Sequence, residues 1–104
     1  MTFAELRRAA LALPRANEAP HHESWSFRVD GRIFATVPPG ETHAHLFLDE
    51  AARRRAVADH PSAVESLHWG AREVGVRVDL AAIPSEVVVA MLADAWEARR
   101  RPAQ

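Results

Sequence analysis

Cysteine is absent from the 104 residues, which excludes disulfides, thiolate metal sites and a cysteine nucleophile. Glycine is scarce. Four residues, at positions 31, 40, 70 and 75, leave no glycine-rich loop of the kind that cradles a phosphate. The longest apolar run, Val87 to Ala93, is far too short to cross a bilayer. Met1 opens directly into a helix pattern rather than a signal peptide, and a cytoplasmic location is expected. Lysine is missing as well. All 13 basic residues are arginine, and against 14 acids they leave a formal net charge of −1. Domains that bind nucleic acid usually carry a basic excess, so such a role here has to come from where the arginines sit.

Leu, Ile, Val and Phe together number 24, above the level at which a chain looks disordered. A chain this long buries roughly two-thirds of the surface it exposes when unfolded. With no repeat, low-complexity segment or internal linker, one domain spanning 1–104 is expected.

Thr2 and Glu5 form a capping box at the head of a helix over about 2–13, with Phe3, Leu6, Ala10 and Leu13 on one face and Pro14 as the stop. After a polar stretch containing Pro20, His21 and His22, the residues Trp25, Phe27 and Val29 alternate with Ser24, Ser26 and Arg28. Asp30-Gly31 suits the positive φ angles of a tight hairpin turn, and Ile33 to Val37 returns. Apolar groups on both faces of that returning strand make it central, or place a bulge at Gly31. A third strand covers 43–48, with Ala44, Leu46 and Leu48 opposite His43, His45 and Phe47.

Asp49 caps a helix over about 50–59. Residues 62–73 are hard to assign and suggest a short helical turn around Val64. Val74, Val76, Val78 and Leu80 mark a fourth strand, and Pro84 or Ser85 opens a last helix whose stripe is Val88, Met91, Leu92, Ala95 and Trp96. The tail from Arg99 to Pro102 is expected to fray. The order α-β-β-β-α-β-α predicts an α+β, two-layer fold: a mostly antiparallel sheet with helices packed on one face. Trp25 and Trp96 are assigned to the core, whereas Trp69 is the tryptophan expected to be exposed.

Chemistry is sparsely signposted. His43 and His45 project from one strand face, and His21, His22 or Asp79 nearby would be needed to complete a metal site. No ligand triplet is fixed by spacing, so neither metal nor cofactor is expected. The serines lie in no nucleophile-elbow context, and no enzyme activity is expected. Arg53, Arg54 and Arg55 fan over roughly 200° of a helix and cannot share one ligand. Arg99, Arg100 and Arg101 are read as complements to the last helix dipole. Arg28, Arg77, Ser24, Ser26, His43 and His45 share the sheet face left uncovered by helices, where guanidinium forks and hydroxyls suit phosphate oxygens. The plainer reading is a solvated face with Asp79 neutralising Arg77.

Leu11-Ala12-Leu13-Pro14, the run from Ser26 to Ala35, Trp69-Gly70, the strand from Val74 to Leu80, and Ala95-Trp96 occur in a succession that resembles the MmcQ/YjbR family. The resemblance implies a CyaY-like (frataxin-like) α+β fold, no enzyme activity, and double-stranded DNA gripped by two hairpin wings. The first wing would be the hairpin around Asp30-Gly31 with Arg28 and Arg32. The second would be the segment around Trp69-Gly70 with Arg72, leading to Arg77. The alternative is a domain that docks a small anion or a protein on the open sheet face through Ser24, Ser26, His43 and His45. Frataxin-type iron handling needs an acidic first helix, and here that helix carries only Glu5 beside Arg7 and Arg8.

Overall fold

A computed structural model describes residues 1–100. The elements run α1 (Phe3–Leu11), β1 (Asn17–His21), β2 (Ser24–Val29), β3 (Arg32–Val37), β4 (His43–Leu46), α2 (Glu50–Asp59), β5 (Val64–Trp69), β6 (Arg72–Asp79) and α3 (Ser85–Arg100). The strands form one antiparallel six-stranded sheet in the order β1-β2-β3-β4-β6-β5. The α+β class and the single-sided helix layer follow the sequence pattern. Two strands do not. β1 occupies the polar stretch before Ser24, and β5 replaces the helical turn expected around Val64.

Local signals account for most boundaries. Both halves of the Thr2–Glu5 capping box are formed, and Glu5's carboxyl is held below its usual pKa by the hydrogen bonds from Thr2. α1 stops at Leu11, earlier than the Pro14 signal implies, and Arg15 takes a positive φ of 59° in the turns that follow. Asp49 caps α2 by accepting from the Ala52 amide at 3.0 Å. At the β2–β3 turn Asp30 and Gly31 both have positive φ, 51° and 78°, as the primed turns of two-residue hairpins require. The irregularity lies between Phe27 and Arg28 rather than at Gly31: the register skips Phe34, and Phe34 to Val37 are all buried in this interior strand.

The main core is one cluster. Leu6 and Ala10 of α1, Ala52 and Ala56 of α2, and Val88, Met91, Leu92 and Ala95 of α3 all pack with Phe27, Val29, Ala35, Val37, Ala44, Leu46, Val76 and Val78 from one sheet face. Trp96 is partly buried against it, and its indole N–H donates to the Pro14 carbonyl at 2.9 Å. Trp25 departs from expectation: it registers with Val37 on the core face but lies at the sheet margin beside Phe3, Pro20 and Glu41, 42% exposed. Gly75 is required by close approach, because a Cβ there would fall on the Leu46 carbonyl oxygen. Pro20 lies in the outer strand β1. Of the tail expected to fray, Arg99 and Arg100 instead form the last turn of α3, where Arg100 bonds Glu97, and Arg101 and Pro102 lie outside the described residues.

Candidate functional site

The sheet face away from the helices is ordered by register. Ser26, Thr36, His45, Arg77 and Glu65 stand in one cross-strand row from β2 to β5. Strand alternation places Arg28 on the same face as Ser26, and His43 and Phe47 on the same face as His45. This face is not merely solvated. Phe47 is 5% exposed although it sits outside the main core. It is covered by the Trp69 ring at 5.6 Å between centroids and by the Arg99 guanidinium at 5.3 Å from its ring centre. Trp69 itself is 61% exposed, as the sequence suggests.

A groove of about 490 Å³ opens on this face. Its cations and imidazoles are Arg28, Arg99, His21, His22 and His45; its hydroxyls are Ser24 and Thr36; its apolar surface is Ile33, Phe47 and Trp69 beside Gly31. Among the described residues no aspartate or glutamate lines it. Arg28 donates from Nε to the Ser26 hydroxyl at 3.1 Å and has no carboxylate partner among the described residues. Ser26 is fully buried, and its hydroxyl donates in turn to the Ala19 carbonyl at 2.8 Å. It therefore positions Arg28 rather than meeting a ligand. Arg99 Nε is buried without a hydrogen-bond partner among the described residues. Burial and then the neighbouring Arg32 lower the Arg99 pKa, but a guanidinium stays charged. His45 also titrates below its ordinary value, through burial first and then Arg77 and His43. His21 and His22 meet edge to face at 4.5 Å.

The other candidates lie around this groove. Arg32 donates to the Arg99 carbonyl at 3.3 Å. Arg72 borders an adjoining hollow shared with Trp69, Arg99, Arg53, Asp49 and Glu73. His43 and Arg77 line a third hollow with Glu65 and Asp79. There Arg77 pairs with Glu65 at 3.2 Å rather than with Asp79, whose carboxylate accepts from the Ala81 amide. His43 Nδ1 sits 2.8 Å from the Thr42 hydroxyl. Among the described residues no three His, Asp or Glu side chains form a group able to hold a metal ion. Likewise, none of their helices is long and apolar enough to cross a membrane.

Topology adds a relationship that the sequence does not display. β3 and β6 are both antiparallel to β4, so they run parallel to each other, and each begins immediately after its hairpin turn. The β2–β3 and β5–β6 turns therefore project from the same end of the sheet. Arg32 opens β3 and Arg72 opens β6, with one strand between them and hence roughly 10 Å apart at the backbone. Arg99, at the end of α3, lies at that same end between them, bonded to Arg32 and sharing a hollow with Arg72.

The molecule is thus a two-layer α+β fold with paired hairpins and a groove lined, among the described residues, by arginines, histidines and aromatics. The family model described as YjbR matches residues 11–98, and the chain belongs to the YjbR family. Its structure is similar to the crystal structure of Deinococcus radiodurans protein DR2400, which carries the family-model domain DUF419. That similarity has a TM-score of 0.77 at 20% identity, over 91% of this chain and 75% of that one. At this identity the likeness speaks for the fold. No curated protein matches the chain.

Proposed function

We propose that this chain is a non-enzymatic DNA-binding module that grips backbone phosphates of a duplex with its two hairpins. The observation that carries the reading is the placement of Arg32 and Arg72 at equivalent positions of two hairpins on one sheet end, with Arg99 between them. Arg28 stands behind the first hairpin. Arg72 makes no hydrogen bond or ion pair among the described residues. Nearby carboxylates are engaged: Asp30 holds Arg15 at 3.2 Å, and Glu73 faces Arg53 at 3.6 Å. The placement of these arginines supports a local cationic edge in a chain of net charge −1. Phosphate neutralisation is the main source of sequence-independent affinity, and it depends on such local arrangements.

Fluorescence anisotropy with a labelled duplex across a salt series tests this. Removing one arginine that neutralises a phosphate lowers the salt slope by about 1, so Arg72→Ala should reduce it by about that amount. Arg77→Ala, whose guanidinium is already paired, should change it less. Absence of binding at low salt, or a slope unchanged in Arg72→Ala, removes the reading. A second use of the open face, docking of a small ligand, is favoured by a separate observation, the recessed groove.

A further inference from the structure

We infer that the groove on the open sheet face is a site for a ligand combining an aromatic ring with an anionic group, of the nucleoside monophosphate class. This does not depend on duplex binding, because the groove lies on the open sheet face behind the hairpin edge, although Arg28, Gly31, Trp69 and Arg99 border both. A cavity of about 490 Å³ falls within the usual range for small-molecule sites, roughly 300–1,000 Å³. Two features of its lining are unsatisfied as they stand. Trp69 exposes most of a large aromatic surface beside Phe47, and an aromatic ligand packed there gains both apolar burial and ring–ring contact. Arg28 and Arg99 bring two guanidiniums into a space that no aspartate or glutamate lines among the described residues. An anionic oxygen in the groove gains charge-assisted hydrogen bonds from guanidiniums that line it.

Neither half of the lining alone describes the ligand. A bare phosphate leaves the Trp69–Phe47 surface open, and a neutral ring leaves the guanidiniums unmatched. A planar ring bearing a phosphate answers both, with the Ser24 and Thr36 hydroxyls available for the sugar or the anion. Arg28 is set for this by the Ser26 hydroxyl behind it, which removes part of the entropy cost of fixing a long side chain.

The test titrates the full chain separately with AMP, UMP, adenosine and inorganic phosphate, followed by calorimetry and by tryptophan fluorescence. At least one nucleotide should bind saturably, roughly tenfold or more tighter than adenosine and than phosphate. Arg28→Ala and Trp69→Ala should each weaken that binding by roughly tenfold, the effect of deleting one charge-assisted hydrogen bond or one stacking partner. Trp69→Phe should keep most of the affinity while the fluorescence change disappears. Thermal melting of each variant checks that the fold is retained, which the exposure of Trp69 favours. A single-stranded oligonucleotide binding more tightly than the free nucleotide assigns the site to an unpaired base within a strand; equal or weaker binding assigns it to free nucleotides. No saturable nucleotide binding, phosphate binding as tight as the nucleotides, or full affinity in Trp69→Ala overturns the inference. Duplex anisotropy on the same samples separates these outcomes from failure of the hairpin reading.

Discussion

Arg77 and Glu65 stand opposite each other in the β5–β6 register and close to 3.2 Å. Both side chains are well exposed, 43% and 66%, so solvent screens the pair and its contribution is small. A double-mutant cycle of Arg77→Ala and Glu65→Ala, read by urea denaturation, should give a coupling energy below about 1 kcal/mol. A much larger coupling would mean that this pair organises the sheet face and does more than occupy a guanidinium.

Gly75→Ala should be among the most damaging small substitutions in the chain. The added methyl meets main-chain atoms of β4 and the residue after it, the Leu46 carbonyl and the Phe47 Cα, and backbone cannot rotate away as a side chain can. Overpacking of this kind costs about 1–3 kcal/mol or more. The denaturation midpoint should fall accordingly, and Phe47, which floors the groove, should shift with the strand.

Trp96→Phe keeps an aromatic on the α3 stripe but removes the N–H that reaches the Pro14 carbonyl at 2.9 Å. A destabilisation of about 0.5–1.5 kcal/mol is expected. Hydrogen exchange should report it as faster opening of the segment between α1 and β1, because that bond ties the segment to a residue 82 positions later.

His45 should make stability fall on mild acidification. Its pKa in the folded protein lies below the ordinary 6.5, through burial first and then Arg77 and His43, so the fold favours the neutral imidazole. The unfolded chain then takes up a proton before the folded one does. The stabilisation is complete above about pH 6.5 and is lost as pH drops from there toward the folded-state value. His45→Gln should show a shallower dependence of urea midpoint on pH between about 5 and 7. NMR titration of the His45 ring protons should place its midpoint below the ordinary histidine value.

Much of this architecture is legible in the chain. The Thr2 and Asp49 caps, the Asp30-Gly31 turn and the α3 stripe each encode a boundary through local chemistry, and each element forms where those signals fall. β1 is hidden because Asn17–His21 contains a proline and no apolar alternation. β5 is hidden because Val64 and Ser66 share one face while Glu65 and Leu67 share the other, so neither face reads as core. Both are outer strands of the sheet, where burial demands least of the sequence. Serine alternation suggests that Ser26 faces a ligand; β1, paired alongside it, supplies the Ala19 carbonyl that takes up its hydroxyl. Of the groove, Ser24, Arg28 and His45 are expected together on the open face. Arg99 is not, since its helix position is explained by the dipole alone, and only the crossing of α3 past the hairpin ends reveals its contact with Phe47.

Pro20 carries a last consequence. The rim of a sheet is a template onto which another chain can zip, and natural proteins commonly block it. Here the β1 rim is short, five residues, and lacks one amide hydrogen at its fourth position, so an approaching strand meets a break in the ladder. The opposite rim presents Glu65 and His68, whose charge and hydration oppose the same event. Polymerisation by sheet extension is thereby disfavoured on both flanks, and any self-association of this molecule has to use a broad surface and its side chains instead of main-chain pairing.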